Sequence, residues 1–157
     1  MEILLTKTGK EHTIFSCKRA DGSITWKQVD DFFILHDLGH YVVESILQIK
    51  NGFFGMLSKG TDITDFDLPK EKRMIEITPE AIFTEHLVNY IVIDFTQGRM
   101  DNFIETFRAI NDRNIEPDLL KQLKESKLEQ IRKKYNELMV QWKSVSIAGS
   151  MNLLFEE

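Results

Sequence analysis

The sequence predicts an α+β fold, in which a small antiparallel sheet packs against about four helices, two of them central and buried. In Thr13–Lys18, Phe15 and Cys17 alternate with Ile14, Ser16 and Lys18, which is typical of a strand with one buried face. Most of the chain after them carries apolar residues at helical spacing. Two of these helical segments are apolar on nearly every face, and such helices lie at the centre of a core.

Length, charge and cysteine content narrow the class of protein. A chain of 157 residues is long enough to bury one core, so we expect a single domain over residues 1–157. The formal net charge of −5 argues against a general nucleic-acid surface. One cysteine excludes an intrachain disulfide, and no stretch reaches membrane-spanning length. We therefore expect a cytoplasmic monomer or homodimer with neither nucleic acid nor membrane as partner, and a small-molecule substrate is one of the partners left open.

Four segments are predicted to form the sheet. Ile3–Thr6 and Thr13–Lys18 are expected to be short strands, separated by the turn-like residues Thr8–Glu11. Ile24–Gln28 returns antiparallel to the second of them, because Asp21-Gly22 is a strong hairpin signal. Met151–Phe155 is expected to join this N-terminal hairpin as a C-terminal strand.

The first central helix follows the hairpin. Asp30 or Asp31 is expected to cap its N-terminus through the side-chain carboxylate. The helix should run to about Ile49 and end at Asn51-Gly52. Gly39 in its middle is about 1 kcal/mol less favourable than alanine, which indicates that another element approaches the backbone there.

The rest of the chain is predicted to hold an irregular segment and three further helices. Residues 52–72 form the longest irregular stretch, which is either a functional loop or lid, or a solvated loop held by its aromatic residues. Thr78 is the expected N-cap of the second central helix, which should run to Gln97. Helices are also expected over Asp101–Asn114 and from Pro117 to about Trp142.

A pair of histidines on the first central helix is the main chemical signal. His36 and His40 are four residues apart, so both project from one helix face and can bind one divalent cation. Zinc is the expected ion, although imidazole also suits iron, nickel and manganese. Glu44 lies about 12 Å along the helix axis from His36, so one ion cannot bind all three.

The third protein ligand must therefore come from elsewhere in the chain. Glu85 and His86 are the candidates, because they share an arc of the other apolar helix with Asn89 and have no other evident reason to be there. Asp37, directly after the first histidine, has three open roles. It is a ligand, the catalytic general base acting on a bound water, or an acceptor that orients an imidazole.

Three resemblances arise at these residues. Ile34–His40 resembles the LLHDIGH core of HD-domain phosphohydrolases, in which an adjacent His-Asp pair binds metal. His36 and His40 also resemble the ligands of H-E-x-x-H zinc metallopeptidases, with Asp37 in the place of their general-base glutamate. More broadly, the run FFxLHDLGHYVVE, followed by GFFGML and DxxDFDLP, resembles a family of small bacterial proteins without an assigned activity.

Three functions stay open on this pattern. The first is a metal-dependent hydrolase with an open coordination position that faces a pocket. The second is a non-catalytic protein, in which the His/Asp/Glu cluster is a hydrogen-bonded or metal-stapled part of the core. The third is a small-molecule binding module that uses the Phe53–Phe66 segment as a lid.

Overall fold

The computed structural model describes residues 1–9 and 12–156, except for the side chain of residue 31, and confirms the α+β fold. Four strands form one antiparallel sheet in the order β3-β2-β1-β4: β1 (Glu2–Lys7), β2 (His12–Lys18), β3 (Ile24–Asp30) and β4 (Ser150–Leu154). The α-helices of the described chain are α1 (Asp31–Leu47), α2 (Phe53–Ser58), α3 (Pro79–Gln97), α4 (Phe103–Asn111), α5 (Pro117–Gln122) and α6 (Glu125–Ser144). None of the helices in these described ranges is long and apolar enough to cross a membrane.

The sheet turns one face toward the helices, as its alternating pattern predicts. Ile3 on β1 lies opposite Cys17 on β2, and both are fully buried on that inner face. Leu5 lies opposite Met151 on β4, which confirms the predicted C-terminal strand. Gly22 makes the turn between β2 and β3 at φ 85°, a conformation that glycine adopts without strain.

Helix α1 is the central helix of the fold, packed against α3 on one side and α6 on another. Its residues Ile34, Leu38 and Val42 are fully buried in the core that the sheet and the helices share. The Tyr135 hydroxyl on α6 donates a hydrogen bond to the Leu35 carbonyl of α1 (2.9 Å), which holds the two helices together.

Both ends of α1 differ from the sequence prediction. Asp30 is the N-cap by position, but its side chain makes no capping bond because it lies beside His12 across the β2–β3 pair, with 3.3 Å between Oδ1 and Nδ1. The alternative cap, the Asp31 side chain, is outside the described part of the structure. The helix ends at Leu47 rather than Ile49, because Gln48 adopts the left-handed conformation (φ 60°) and its N–H bonds to the Glu44 carbonyl.

The segment 52–72 is not the irregular loop that its sequence predicts. It contains α2 and two short 3₁₀ turns, Ile63–Asp67 and Lys70–Lys72. The N-terminal amides of α2 are satisfied by a distant side chain, since the Glu44 carboxylate accepts hydrogen bonds from the backbone N–H groups of Phe54 (3.0 Å) and Gly55 (3.3 Å). That partner lies on another helix, so the local sequence does not reveal it.

The C-terminal helical region is also broken where one helix was predicted. Pro117–Trp142 divides into α5 and α6 at Leu123, which is fully buried in an extended conformation. Arg108 on α4 donates hydrogen bonds to the Leu123 carbonyl (2.8 Å) and the Leu120 carbonyl (3.4 Å), and so satisfies the free acceptors at the end of α5.

Two contacts fix the position of α3 against the rest of the fold. Near its middle, the side chain of the buried Val88 lies over Gly39 of α1, where an added Cβ would stand 2.7 Å from Val88 Cγ1. This confirms the close approach that the mid-helix glycine predicts. Near its C-terminal end, Asp94 forms a largely buried, bidentate ion pair with Arg132 of α6 (2.8 and 2.9 Å).

Replacement of Gly39 by alanine tests the α1–α3 contact. We expect Gly39→Ala to lower the free energy of unfolding by about 1–3 kcal/mol, although alanine is the better helix former, because Val88 has no room to move within the core. In a Val88→Ala background the same change should be neutral or stabilising. Denaturant unfolding of the four proteins measures this coupling, and equal effects of Gly39→Ala in the two backgrounds would contradict the close contact.

Candidate metal centre

Three side chains from the two central helices converge on one point. His36 and His40 lie one turn apart on α1, with their ring centroids 4.8 Å apart. Glu85 faces them from α3. One ligand atom from each of the three lies within 4.8 Å of the other two. The structure thus brings together the two histidines and one of the two residues that the sequence suggests as the third ligand.

Glu85 bridges the two imidazoles. Its Oε1 lies 3.4 Å from His36 Nε2, and its Oε2 accepts a hydrogen bond from His40 Nε2 (3.1 Å). Asn89, one turn further along α3, donates to Oε1 (3.1 Å) and holds the carboxylate in place. The hydrogen bonds to His36 and His40 hold the pKa of Glu85 well below its usual range. Its side chain is still half exposed (50%), so the point of convergence is open on this side.

Glu44 holds His40 from the other side of the ring. His40 Nδ1 donates to Glu44 Oε1 (3.2 Å), and the remaining oxygen accepts the amides at the start of α2. Burial lowers the pKa of His40, but the hydrogen bonds to Glu44 and Glu85 outweigh it and raise that pKa to about 9. Burial raises the pKa of the Glu44 carboxyl. Glu44 therefore lies outside the convergent group, as its spacing predicts, and fixes the ring of His40 instead.

Asp37 is buried beside the cluster without joining it. Its Oδ2 makes no hydrogen bond with any described residue, and the carboxylate orients neither imidazole. Burial raises the pKa of this carboxyl to about 6, against the attraction of His40 and His36. A buried carboxylate without a partner is costly to the fold, so such a residue is a candidate for chemistry rather than for stability.

His86 is not part of the convergent group, although the sequence makes it a candidate metal ligand. Its Nδ1 lies 2.6 Å from Oδ1 of Asn111, a buried residue of α4. The Asn111 Nδ2 donates to the Phe107 carbonyl (2.8 Å), so its Oδ1 must be the atom that accepts from His86. The proton of a neutral His86 ring is therefore on Nδ1, which leaves Nε2 as an acceptor.

The cluster opens into a cavity of about 420 Å³. The two histidines, Asp37, Glu85 and His86 all lie on its wall. The rest of the wall comes from β3, the start of α1, the segment after it and the beginning of α3: Lys27, Phe33, Phe53, Phe66, Asp67, Arg73, Ile77, Ala81 and Ile82. A concave, largely apolar space with a few convergent polar groups is the usual form of a small-molecule site.

Sequence reasoning missed the cations of this cavity and the partner of His86. Lys27 reaches the site from an edge strand and pairs with Asp67 (2.9 Å), and Arg73 reaches it from the segment before α3. Asn111 lies on a fourth element of the fold. Their spacing in the chain carries no periodic signal, and only the length of the segment 52–72 indicated that it was more than a linker.

Gly52 gives a way to disturb the cluster without changing a polar residue. A Cβ at this position would overlap the Glu44 carboxylate. We expect Gly52→Ala to displace that carboxylate from His40 and from the amides of α2, and to lower the free energy of unfolding by about 1–3 kcal/mol. Gly9→Ala is the matched control, because a Cβ there meets no atom within 4 Å. Equal denaturation midpoints for the two variants would contradict the role of Glu44.

The donor set can be compared with what a metal requires. Two imidazoles and one carboxylate are the protein ligands of one class of catalytic zinc site and of many non-haem iron sites. Ligand atoms of a tetrahedral zinc site are roughly 3.3–3.6 Å apart. The three donor atoms of this cluster lie within 4.8 Å of one another, so small side-chain movements would bring them to that spacing. Comparisons of the chain with protein-family models, with curated proteins and with solved structures found no match.

Proposed function

We propose that the protein binds a divalent metal ion, zinc in the first place, through His36, His40 and Glu85, and uses it to hydrolyse a small molecule in the adjacent cavity. The observation that carries this proposal is the convergence of three donor atoms from two helices, within 4.8 Å, on the wall of a cavity of about 420 Å³. Three protein ligands leave a coordination position open, and this is the mark of catalytic rather than structural zinc.

The surroundings of the three ligands support the proposal. Metal-binding histidines usually donate their second ring N–H to a carboxylate, which fixes the tautomer and the ring orientation. His40 has such a partner in Glu44, and Asn89 orients the carboxylate of Glu85. When bound, a divalent ion would lower the pKa of a water molecule and polarise the bond to be cleaved.

The chain's own residues supply the proton transfers. Asp37 is adjacent in sequence to a proposed ligand and lies on the wall of the same cavity, so it is the carboxylate proposed to accept a proton from the attacking water. His86 is a second group that can hold a proton at Nε2, because Asn111 fixes its Nδ1–H. The aromatic rings of Phe53 and Phe66, 4.9 Å apart, shield part of the cavity from water.

A second candidate is a structural cluster without catalysis. Its support is that His40 is hydrogen-bonded at both ring nitrogens to carboxylates, so its ring is fully satisfied as an imidazolium with no ion present. In that case the His/Glu group ties α1 to α3 and the cavity serves no reaction. Metal content separates the two candidates.

The compartment and the partners belong to the same proposal. An unpaired, buried cysteine is typical of the reducing cytoplasm. The net charge of −5 supports a small molecule rather than a nucleic acid as the partner. The chain is proposed to act there as a monomer or a homodimer.

Metal content of the untagged protein is the direct test. We expect about one ion per chain in the wild type and in His12→Ala, which changes an exposed histidine outside the site. His36→Ala, His40→Ala and Glu85→Gln should lose it, because each removes one of only three protein ligands. Glu44→Gln, which alters the hydrogen-bond partner of a ligand and not a ligand itself, should weaken zinc affinity by about 10–100-fold.

The measurement is elemental analysis, followed by zinc titration of chelator-treated protein by calorimetry. Equal metal content in the wild type and in all three ligand variants would contradict the proposal. A wild type that takes up no metal, together with a loss of stability in His40→Ala, would favour the structural cluster.

Asp37→Asn separates metal binding from catalysis. We expect the variant to keep its metal content and its melting temperature, since it replaces a buried charge without a partner by a neutral group of the same shape. Its kcat/KM on a panel of p-nitrophenyl esters and phosphates should fall by about 10²–10⁴-fold relative to wild type. Asp112→Asn, an exposed position, is the control. Full activity of Asp37→Asn would remove Asp37 as the base.

A further inference from the structure

We infer that the cavity takes a small amphipathic anion, whose carboxylate or phosphate group is bound by Arg73 while its apolar part lies against Phe33 and Ile82. This inference rests on the proposed function for its reaction but not for its binding step. It names the class of substrate, which the metal ligands alone leave open. The anchoring anion is a different part of the molecule from the bond that is cleaved.

Arg73 is held in place by backbone carbonyls. Its Nε donates to the Leu68 carbonyl (2.7 Å) and one of its terminal nitrogens to the Phe66 carbonyl (2.9 Å). These two bonds fix the plane of the guanidinium group along the segment that walls the cavity. A guanidinium has five N–H donors, so about three stay available in a fixed geometry that suits the two oxygens of a carboxylate or phosphate.

The charge of Arg73 is not neutralised by any carboxylate within the ranges that the structure describes. The other permanent cation on the cavity wall, Lys27, is paired with Asp67 (2.9 Å). Arg19 and Arg108 also donate to backbone carbonyls, but neither lines this cavity. Arg73 is thus a fixed cation at the wall of the site with donors to spare, and a bound anion supplies the missing counter-charge.

The apolar part of the ligand follows from the same wall. Phe33 (53% exposed) and Ile82 (39% exposed) leave large apolar surfaces in water beside the cavity, and Ile77 also lines it. Apolar groups left exposed at the mouth of a concave site are typical of ligand binding, because the ligand removes them from water. A short alkyl or aryl group with an acidic head fits both features.

Four six-carbon probes test the inference: hexanoate, hexyl phosphate, 1-hexanol and hexylammonium. Binding is followed by ¹H–¹⁵N chemical-shift titration of wild-type protein, once after chelator treatment and once loaded with zinc. We expect saturable binding of at least one of the two anions in the metal-free protein, with shifts at residues of the cavity wall, and no saturation by the alcohol or the amine. Preference for one anion tells whether the ligand is an organic acid or a phosphate ester.

Variants of Arg73 then assign the binding group. Arg73→Gln should weaken the anion's affinity roughly ten- to hundredfold, and Arg73→Lys should weaken it less, because lysine keeps the charge but not the two-pronged geometry. Lys72→Gln is the matched control, since it removes the same charge from an exposed neighbouring position and should leave the affinity within about twofold. Thermal melts check that each variant is folded.

Three results would overturn the inference: no saturable binding of either anion, binding of the alcohol or the amine as strong as that of the anions, or equal anion affinity of wild type and a folded Arg73→Gln. The first two come from wild-type protein and so do not depend on a variant's folding. Anion binding without metal uptake would reject the proposed hydrolase but keep this site. Metal uptake without anion binding would reject this anion site but keep the proposed metal-dependent hydrolase.

Discussion

The contact between Gly39 and Val88 is the constraint on which the site depends. The absence of a side chain at Gly39 lets α3 approach α1 closely enough for Glu85 to reach both histidines. Interfaces of this kind transmit small changes, because packed cores resist a shift of even one methyl group. The geometry of the candidate metal centre therefore depends on apolar packing directly beside the polar residues.

The two buried carboxylates of α1, Glu44 and Asp37, differ in whether their oxygens have hydrogen-bond partners. Glu44 is fully satisfied, since it binds His40 and two amides of α2 and so joins α1 to α2. Asp37 is buried to a similar degree, yet Oδ2 has no partner in the described structure. Natural proteins keep such unsatisfied groups mainly where function requires them. This contrast favours the proposed catalytic role for Asp37 and a structural role for Glu44.

The segment between α1 and α3 gives the cavity its character. It places Phe53 and Phe66 over the polar cluster and brings Asp67 and Arg73 to the same wall. The Asp67 carboxylate of this segment neutralises Lys27. Arg73 donates only to backbone carbonyls in the described structure, so no carboxylate there neutralises its charge. A metal ion held by the His/Glu cluster and the guanidinium group of Arg73 would both attract an anionic molecule. Together they would orient its reactive bond toward the ion.

The sequence by itself determined the strands, the two apolar helices, the paired histidines and the exclusion of Glu44 as a shared ligand, because these follow from periods of 2 and 3.6 residues and from the rise of a helix. It reduced the candidates for a third ligand to Glu85 or His86. Only the tertiary structure separates the two, since Glu85 lies against both histidines whereas His86 pairs with Asn111 on α4. The same is true of α2, of the break at Leu123 and of Arg73, whose partners lie far away in the chain and leave no local pattern.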